Sequence, residues 1–309
     1  MQYSTFAAID IGSYDVILEI FEISKKQGIR SVDKICHRME LGKDTYTLGK
    51  IRPEMEEELC RVLADFVRIM EGYRVDAYRA MASSAISEAA NSLYVLGKIR
   101  QLTGLSVTVL SNSEQRFLGY KALAAMEDNF NKVIEKGTAI LDLDGGSFQI
   151  SLFDKDALVT TQNIRMGSLR VRERLAGIQS ETEHYEEMVE ELIWNEVSSF
   201  KKMYLKDRKI ENIMLIGDVF TDSVYQNIEE KTTKIISREN FNTWYEKIIR
   251  QSPMELAVKL GIPLENASLM YPSAVIYKCL IDMMEAEHVW IPGVHMTRGI
   301  AYEYAEQMK

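Results

Sequence analysis

The sequence predicts an α/β protein of two similar lobes, and three observations lead to this prediction. Short apolar runs rich in β-branched residues alternate with segments of helical periodicity, a pattern typical of a mostly parallel sheet. Two hairpins, at residues 6–20 and 138–153, share the order of a strand, a turn with Asp, Gly and Ser, and a second strand. The chain has 309 residues, a length at which two domains are the ordinary expectation.

The first half is predicted to alternate strands and helices after its hairpin. Pro53 opens a helix, since its missing N–H costs nothing in a first turn, and apolar residues recur there at helical spacing. Ser83 or Ser84 can cap the next helix, and Gly104 can end it. The predicted elements are a strand at 30–39, a loop at 41–49, a helix from 53, a strand at 75–81, a helix from about 85 to 103, a strand at 107–110 and a helix at 114–126.

The second half repeats this order more loosely. Its predicted strands lie near 138–142, 148–154, 157–165 and 213–216, with a short one at 289–294. Its predicted helices cover about 182–204, most of 219–265, 267–284 despite Pro272, and 299–307. The pattern breaks at 126–137, so we place the two domains at 1–128 and 129–309.

Composition excludes several function classes. The net charge of −9 argues against non-specific binding to nucleic acid or to an anionic membrane. No apolar run reaches the roughly 18 residues of a membrane span, and we expect no signal peptide before Phe6. The histidines lack an H-x-x-x-H pair, which argues against zinc, and the three cysteines lack C-x-x-C spacing. We therefore expect a cytoplasmic protein with free thiols that binds neither nucleic acid nor a membrane.

The two hairpin turns carry the residues that can do chemistry. In the second, glycines at 145 and 146 let backbone N–H groups approach a ligand closely. Asp142 ends the preceding strand, where a carboxylate can hold a metal ion or a water molecule. Residues 10–13 repeat the pattern Asp-x-Gly-Ser near the N-terminus. Two such turns in two similar lobes predict a phosphate-binding cleft between the lobes.

Six blocks of the chain resemble the exopolyphosphatase/guanosine-pentaphosphate phosphohydrolase (Ppx/GppA) family of the actin-like superfamily. Residues 8–13 and 142–147 are similar to its two phosphate loops. The other blocks are 41–49, 82–91, 110–120 and 166–174, and the resemblance covers essentially the whole chain. It implies two actin-like (ribonuclease H-like) domains with a central cleft. It also implies hydrolysis of a terminal phosphoanhydride in polyphosphate or in a phosphorylated guanosine nucleotide, by a homodimer.

The resemblance also implies a role for individual residues. Glu114 matches the glutamate that activates water. A divalent ion, Mg²⁺, would be held by carboxylates at Asp10, Asp142 and Asp144. The residues implied to bind phosphate are Gly12, Ser13, Ser84, Gly145, Gly146, Ser147 and Arg170.

Several positions depart from the family's pattern, and they lie in the segments that carry the predicted chemistry. Ile17 stands where the family has a basic residue in the first loop, and Ser87 stands where it has the arginine of the 82–91 block. Gln149 stands where it has a glutamate in the second loop. A charge-assisted hydrogen bond contributes about 1.5–3 kcal/mol, so these losses would lower the affinity for a polyanion by roughly 10³-fold unless other residues substitute. Further departures are Tyr14 for Asn, Asp144 for Gly, and Gly217-Asp218-Val219 for Gly-Gly-Thr.

Three function classes follow. The first, which we predict, is an active phosphoanhydride hydrolase with a reshaped site. The second is a catalytically degenerate member that binds phosphate or nucleotide as a sensor or regulator, and the third is another actin-like ATPase or kinase. The added carboxylates Asp15, Asp144 and Asp218 would repel phosphate unless cations offset them. Compensating cations could come from Arg79, Arg116, Arg165, Arg172 or Arg298.

Overall fold

The computed structural model of the protein describes residues 3–26, 28–126, 130–176, 185–206, 208–217, 219–227 and 235–308. The chain divides into unit 1, formed by Met1–Ala125 and His295–Lys309, and unit 2, formed by Met126–Val294. The chain passes from unit 1 to unit 2 after Ala125, near the predicted domain boundary at 128. It returns to unit 1 at His295, whereas residues 129–309 were predicted to form one domain, because the last helix packs on the sheet of unit 1. None of the helices described is both long and apolar enough to span a membrane.

Unit 1 contains one mixed sheet in the order β3-β2-β1-β4-β5. Its strands are β1 (Ser4–Ile11), β2 (Asp15–Ser24), β3 (Gly28–Arg38), β4 (Ala77–Ala82) and β5 (Val107–Val109). The hairpin strands β1, β2 and β3 pair antiparallel, whereas β1, β4 and β5 run parallel. The carboxyl ends of these three parallel strands therefore lie at one edge of the sheet.

Helices cover both faces of this sheet. The side chains of β1 alternate between the two faces, and apolar residues on each face are buried under helices. Ala7 and Ile9 face one core, which includes Leu63 of the helix Pro53–Gly72. Phe6 and Ala8 face the other, which includes Ile300 of the helix Met296–Gln307. The helices of unit 1 are α1 (Leu41–Leu48), α2 (Pro53–Gly72), α3 (Ser84–Ser87), α4 (Ser92–Thr103), α5 (Asn112–Met126) and α13 (Met296–Gln307).

Two predictions for unit 1 were wrong. The segment 41–49 is not a loop but α1, which Gly49 ends in the left-handed conformation at φ 71°. The predicted helix at 85–103 is two helices, α3 and α4, with Asn91 between them. The Asn91 side chain hydrogen-bonds both backbone groups of Ile51 and also donates to Glu56 at 2.7 Å. These long-range bonds interrupt the helix.

Unit 2 contains a six-stranded sheet in the order β10-β11-β9-β6-β7-β8. Its strands are β6 (Thr138–Leu143), β7 (Phe148–Asp154), β8 (Ala157–Ile164), β9 (Asn212–Ile216), β10 (Ile235–Ser237) and β11 (His288–Trp290). Its helices are α6 (Phe130–Ile134), α7 (Ser168–Leu175), α8 (Tyr185–Phe200), α9 (Val219–Asn227), α10 (Arg238–Ile249), α11 (Pro253–Leu260) and α12 (Leu264–Met284), with a π-helix at Lys201–Leu205. Strands β6 and β9 run parallel, so their carboxyl ends also share an edge.

The predicted strands of unit 2 agree with this sheet, and α12 continues through Pro272 as predicted. Strand β10 was not predicted, because its three residues lie within a segment predicted to be helical. The start predicted for α8, residue 182, and the site position Asp218 lie outside the described residues.

Candidate functional site

The first loop joins β1 to β2 and is held by its own backbone. The Gly12 N–H donates to the Asp15 carbonyl at 2.9 Å, which closes the turn. Ser13 follows and is buried, with its carbonyl accepting from the Gly42 N–H of α1 at 2.7 Å. Asp10 lies in β1 itself, paired with Ile17 across the hairpin. The predicted turn is therefore present, and α1 packs against it.

Three hydroxyl groups from three segments meet beside this loop. The Tyr46 hydroxyl of α1 lies 2.7 Å from Ser13 Oγ and 2.8 Å from Ser84 Oγ, and the two serine oxygens lie 3.3 Å apart. The structure thus brings together two residues predicted to bind phosphate. Sequence reasoning missed Tyr46 because it lies in the segment predicted to be a loop.

The negative charge of the Asp15 carboxylate is paired with the positive charge of Arg38. Asp15 Oδ2 accepts from Arg38 Nη1 at 2.8 Å and from the Cys36 thiol at 3.6 Å. Cys36 is exposed as a residue, but desolvation of its sulfur and the neighbouring Asp15 carboxylate raise the pKa of the thiol, so it keeps its proton at neutral pH. Asp15 therefore stabilises the strands behind the loop, and Arg38 supplies the cation that the prediction required to offset its repulsion of a phosphate.

Glu114 lies in the first turn of α5, just beyond the carboxyl end of β5. Its carboxylate accepts from the Ser111 N–H at 2.8 Å and from Ser111 Oγ at 2.7 Å, and its own N–H donates back to Ser111 Oγ at 3.3 Å. This is a reciprocal capping box. The hydrogen bonds from the Ser111 side chain and backbone lower the pKa of Glu114. The exposed carboxylate is therefore ionised at neutral pH and suited to orient water as an acceptor.

The second loop follows β6 and is also closed by its own atoms. The Asp144 N–H donates to the Ser147 carbonyl at 3.0 Å. The Gly146 N–H, predicted to bind phosphate, donates to Asp144 Oδ1 at 3.0 Å. Asp144 stands where the family's pattern has glycine, and its carboxylate accepts the Gly146 N–H. With glycine at position 144, this N–H would be available to a ligand.

The start of α7 holds this loop from outside. Arg170 Nε donates to the Gly146 carbonyl at 2.8 Å, and the Arg170 N–H donates to the Gly145 carbonyl at 2.9 Å. Gly167 precedes the helix and has no room for a side chain, since a Cβ there would lie 2.2 Å from the Asp144 carbonyl oxygen. Arg170, predicted to bind phosphate, therefore contacts the loop predicted to do the same.

Asp142 and its surroundings fit a cation or an ordered water. Burial and the neighbouring Asp144 carboxylate raise the pKa of Asp142 to about 7. Directly across the β6–β7 pair lies Gln149, whose buried Oε1 has no hydrogen-bond partner among the described residues. Gly217, at φ 73°, packs against the same strand end. Within the described part of the chain, no three Asp, Glu, His or Cys side chains group closely enough to hold a metal ion.

Replacing Asp142 with Asn is expected to stabilise the metal-free protein at pH 8. The pKa of about 7 lies above the ordinary 3.8, so the folded state binds the proton more tightly. That contribution is present at low pH and is lost as the pH rises from about 4 to 7. Asn removes the cost of the buried charge, about 2–4 kcal/mol. The Tm of D142N should therefore exceed that of the wild type at pH 8 and approach it at pH 4; equal differences at both would contradict this.

Two of the arginines considered as compensating cations are engaged within their own units. Arg79 Nη1 pairs with Glu303 of α13 at 2.5 Å. Arg172 Nη2 pairs with Glu173 at 2.6 Å, and its Nη1 donates to Ser268. Each of the two arginines is paired with a carboxylate, so its charge is already offset.

The family model described as the Ppx/GppA phosphatase family matches residues 19–308. A bifunctional 3-dehydroquinate synthase/phosphatase of Fusobacterium nucleatum is 21% identical over 238 residues, which are 73% of this chain and 34% of the relative. Exopolyphosphatase 1 of Mycobacterium leprae is 25% identical over 144 residues, 46% of this chain and 41% of that protein. The matches thus cover less than half the length of each of these relatives.

Solved structures share the fold. An exopolyphosphatase from Cytophaga hutchinsonii superposes with a TM-score of 0.85 at 17% identity, covering 99% of both chains. The Ppx/GppA family member of Aquifex aeolicus gives 0.79 at 19% identity, covering 100% of this chain and 99% of its own. The predicted α/β class is therefore confirmed, and the fold is that of the solved Ppx/GppA structures. With the family model matched over nearly all residues, the chain belongs to the Ppx/GppA phosphatase family.

Proposed function

We propose that the protein is a phosphoanhydride hydrolase that releases phosphate from inorganic polyphosphate or from a phosphorylated guanosine nucleotide. The observation that carries this proposal is the placement of Glu114. Its ionised carboxylate is fixed by Ser111 at the same sheet edge of unit 1 from which Ser13 and Ser84 project. The attack of water on a phosphoryl group requires an oriented carboxylate and hydrogen-bond donors for the phosphoryl oxygens.

In this proposal Glu114 accepts a hydrogen bond from the attacking water and orients it. Ser13 and Ser84 donate to phosphoryl oxygens. In unit 2, the resemblance implies that Ser147 and Arg170 bind phosphate, and Arg170 Nε also supports the second loop through the Gly146 carbonyl. The absence of basic residues at positions 17 and 87 weakens phosphate binding, but the pairing of Asp15 with Arg38 limits the repulsion.

A divalent ion, for which we propose Mg²⁺, would be held by Asp142 and Asp144. The Asp142 and Asp144 carboxylates form a donor set suited to a hard cation, together with the Gln149 amide oxygen, which has no hydrogen-bond partner among the described residues. The ion would offset the charge of the bound phosphates. Asp10, also predicted as a ligand, lies in unit 1 and stays a prediction.

The experiment is phosphate release from long-chain polyphosphate and from guanosine pentaphosphate, with Mg²⁺, with Mn²⁺ and with a chelator. We expect release from at least one substrate, dependent on the divalent ion. A folded protein that releases no phosphate from either would instead support the sensor or regulator, and a phosphate-dependent rise in Tm would then identify its ligand.

Two further features belong to the proposal. The cysteines Cys36, Cys60 and Cys279 are free thiols, which suits a reducing compartment such as the cytoplasm. A homodimer is implied by resemblance to related proteins, and sedimentation equilibrium would test it.

A further inference from the structure

The hydroxyl groups of Ser13, Tyr46 and Ser84 form a triangle of hydrogen bonds, which we call the hydroxyl triangle. The fold of unit 1 does not require these bonds. Segment α1 is already attached to both of its neighbours by other bonds. The Gly42 N–H donates to the Ser13 carbonyl at 2.7 Å, and Thr45 Oγ1 donates to the buried Ala85 carbonyl at 2.7 Å. These bonds join α1 to the first loop and to α3. The Tyr46 hydroxyl is therefore not needed to hold the three segments together.

The triangle also lies among charges that are already paired. Asp15 pairs with Arg38, and the buried Asp44 of α1 pairs with Arg52. Each arginine is thus engaged by a carboxylate. The three hydroxyl groups add neutral donors to this part of unit 1, and such donors are short-ranged and little affected by salt.

The hydroxyl of Ser83, the residue before Ser84 in the chain, is buried and has no hydrogen-bond partner among the described residues. Ser83 as a whole is 6% exposed. Buried hydroxyls are usually paired, so this hydroxyl, one residue from Ser84 in the chain, points to a polar ligand or water bound at Ser83.

We propose that Tyr46 is a third phosphate-binding hydroxyl of unit 1, which donates to the same phosphoryl group as Ser13 and Ser84. In the ligand-free protein each hydroxyl satisfies its neighbours. When a phosphoryl oxygen arrives, their protons can turn toward it, and the phenol is the strongest donor of the three. This inference rests on the proposed function in taking the ligand to be a phosphoryl group. It makes Tyr46, at a position 33 residues from Ser13, a determinant of phosphate affinity.

The test uses inorganic phosphate as the probe and the full chain. Tyr46→Phe keeps the ring and removes the hydroxyl, and is expected to weaken phosphate binding roughly tenfold. At a phosphate concentration ten times the wild-type Kd, the phosphate-dependent stabilisation should fall to roughly 30% of its wild-type value. The readout is the rise in Tm in phosphate over chloride at equal ionic strength.

The matched control is Tyr73→Phe, which removes a phenol that donates to Asp33 at 2.8 Å on the surface of the same unit. It should leave the phosphate-dependent rise unchanged. Equal rises in the wild type and Y46F, no rise in the wild type, or failure of Y46F to fold would each overturn the inference. The last result would assign the hydroxyl a structural role.

Turnover gives the second readout. If the chain releases phosphate, Y46F should raise KM roughly tenfold with little change in kcat, since it removes binding shared by the ground and transition states. If no substrate is hydrolysed, the proposed function fails, and the comparison in inorganic phosphate still decides the role of Tyr46.

Discussion

Replacing Glu114 with Gln is expected to lower kcat for phosphate release by about 10²–10⁴-fold, the usual contribution of a group that transfers or orients a proton in the transition state. Gln keeps the length of the side chain and an oxygen that can accept from Ser111, so the cap of α5 should persist. The measurement is the initial rate at saturating substrate, with the Tm of each protein recorded alongside.

A second helix of the chain supplies the control. Glu255 of α11 forms the same capping box with Ser252, accepting at 2.8 Å from both the N–H and the hydroxyl. The Ser252 hydrogen bonds also lower the pKa of Glu255. Glu255→Gln should therefore change stability as Glu114→Gln does and leave turnover unchanged. Full activity in E114Q, or an equal loss in E255Q, would show that the carboxylate at 114 has only a capping role.

Replacing Gly167 with Ala is expected to destabilise unit 2 by about 3 kcal/mol or more and to abolish turnover. The added Cβ would lie 2.2 Å from the Asp144 carbonyl oxygen and 2.4 Å from the Ser147 nitrogen. Both are backbone atoms of the second loop, so no side chain can rotate away. The loop must move, and the support that Arg170 gives to Gly146 moves with it.

Gly97→Ala is the control for this substitution. Gly97 lies inside α4, and a Cβ added there would meet no heavy atom within 4 Å outside its own helix among the described residues. Ala there should raise the free energy of unfolding by about 0.5–1 kcal/mol, because glycine is a poor helix former. Urea unfolding of both variants gives the comparison. A G167A protein as stable and active as the wild type would show that the second loop tolerates displacement.

Elements with strong local patterns were predictable. The Pro53 start of α2 and its apolar face follow from periodicity. The strands on both sides of each loop are continuous apolar runs, and their positions agree with the structure within a few residues. Because the strand ends are fixed, the location of both loops was also predictable.

Elements that depend on distant contacts were not predictable. Helix α1 contains Gly42 and two threonines, a composition with weak helix propensity. It forms because its backbone bonds Ser13 and its Asp44 pairs with Arg52. The short β10 exists only by pairing with β11. Neither contact leaves a periodic signal in the sequence.

The same reason limits what the sequence says about the site. Spacing places Ser13 and Ser84 at neighbouring strand ends, but it cannot show that Tyr46 joins them. Nor can it show that Arg38 neutralises Asp15, or that Asp144 accepts the N–H of Gly146. These side-chain pairings decide which charges and donors remain for a ligand.

The most direct test of the central claim is hydrolysis in ¹⁸O-labelled water, followed by mass analysis of the products. The claim is that water attacks the terminal phosphorus of a phosphoanhydride. It predicts one labelled oxygen in each phosphate released by the wild-type protein and none in the shortened polyphosphate or nucleotide. Unlabelled phosphate, or label in the shortened product, would mean that another group accepts the phosphoryl or that water attacks elsewhere, and either result would contradict the account.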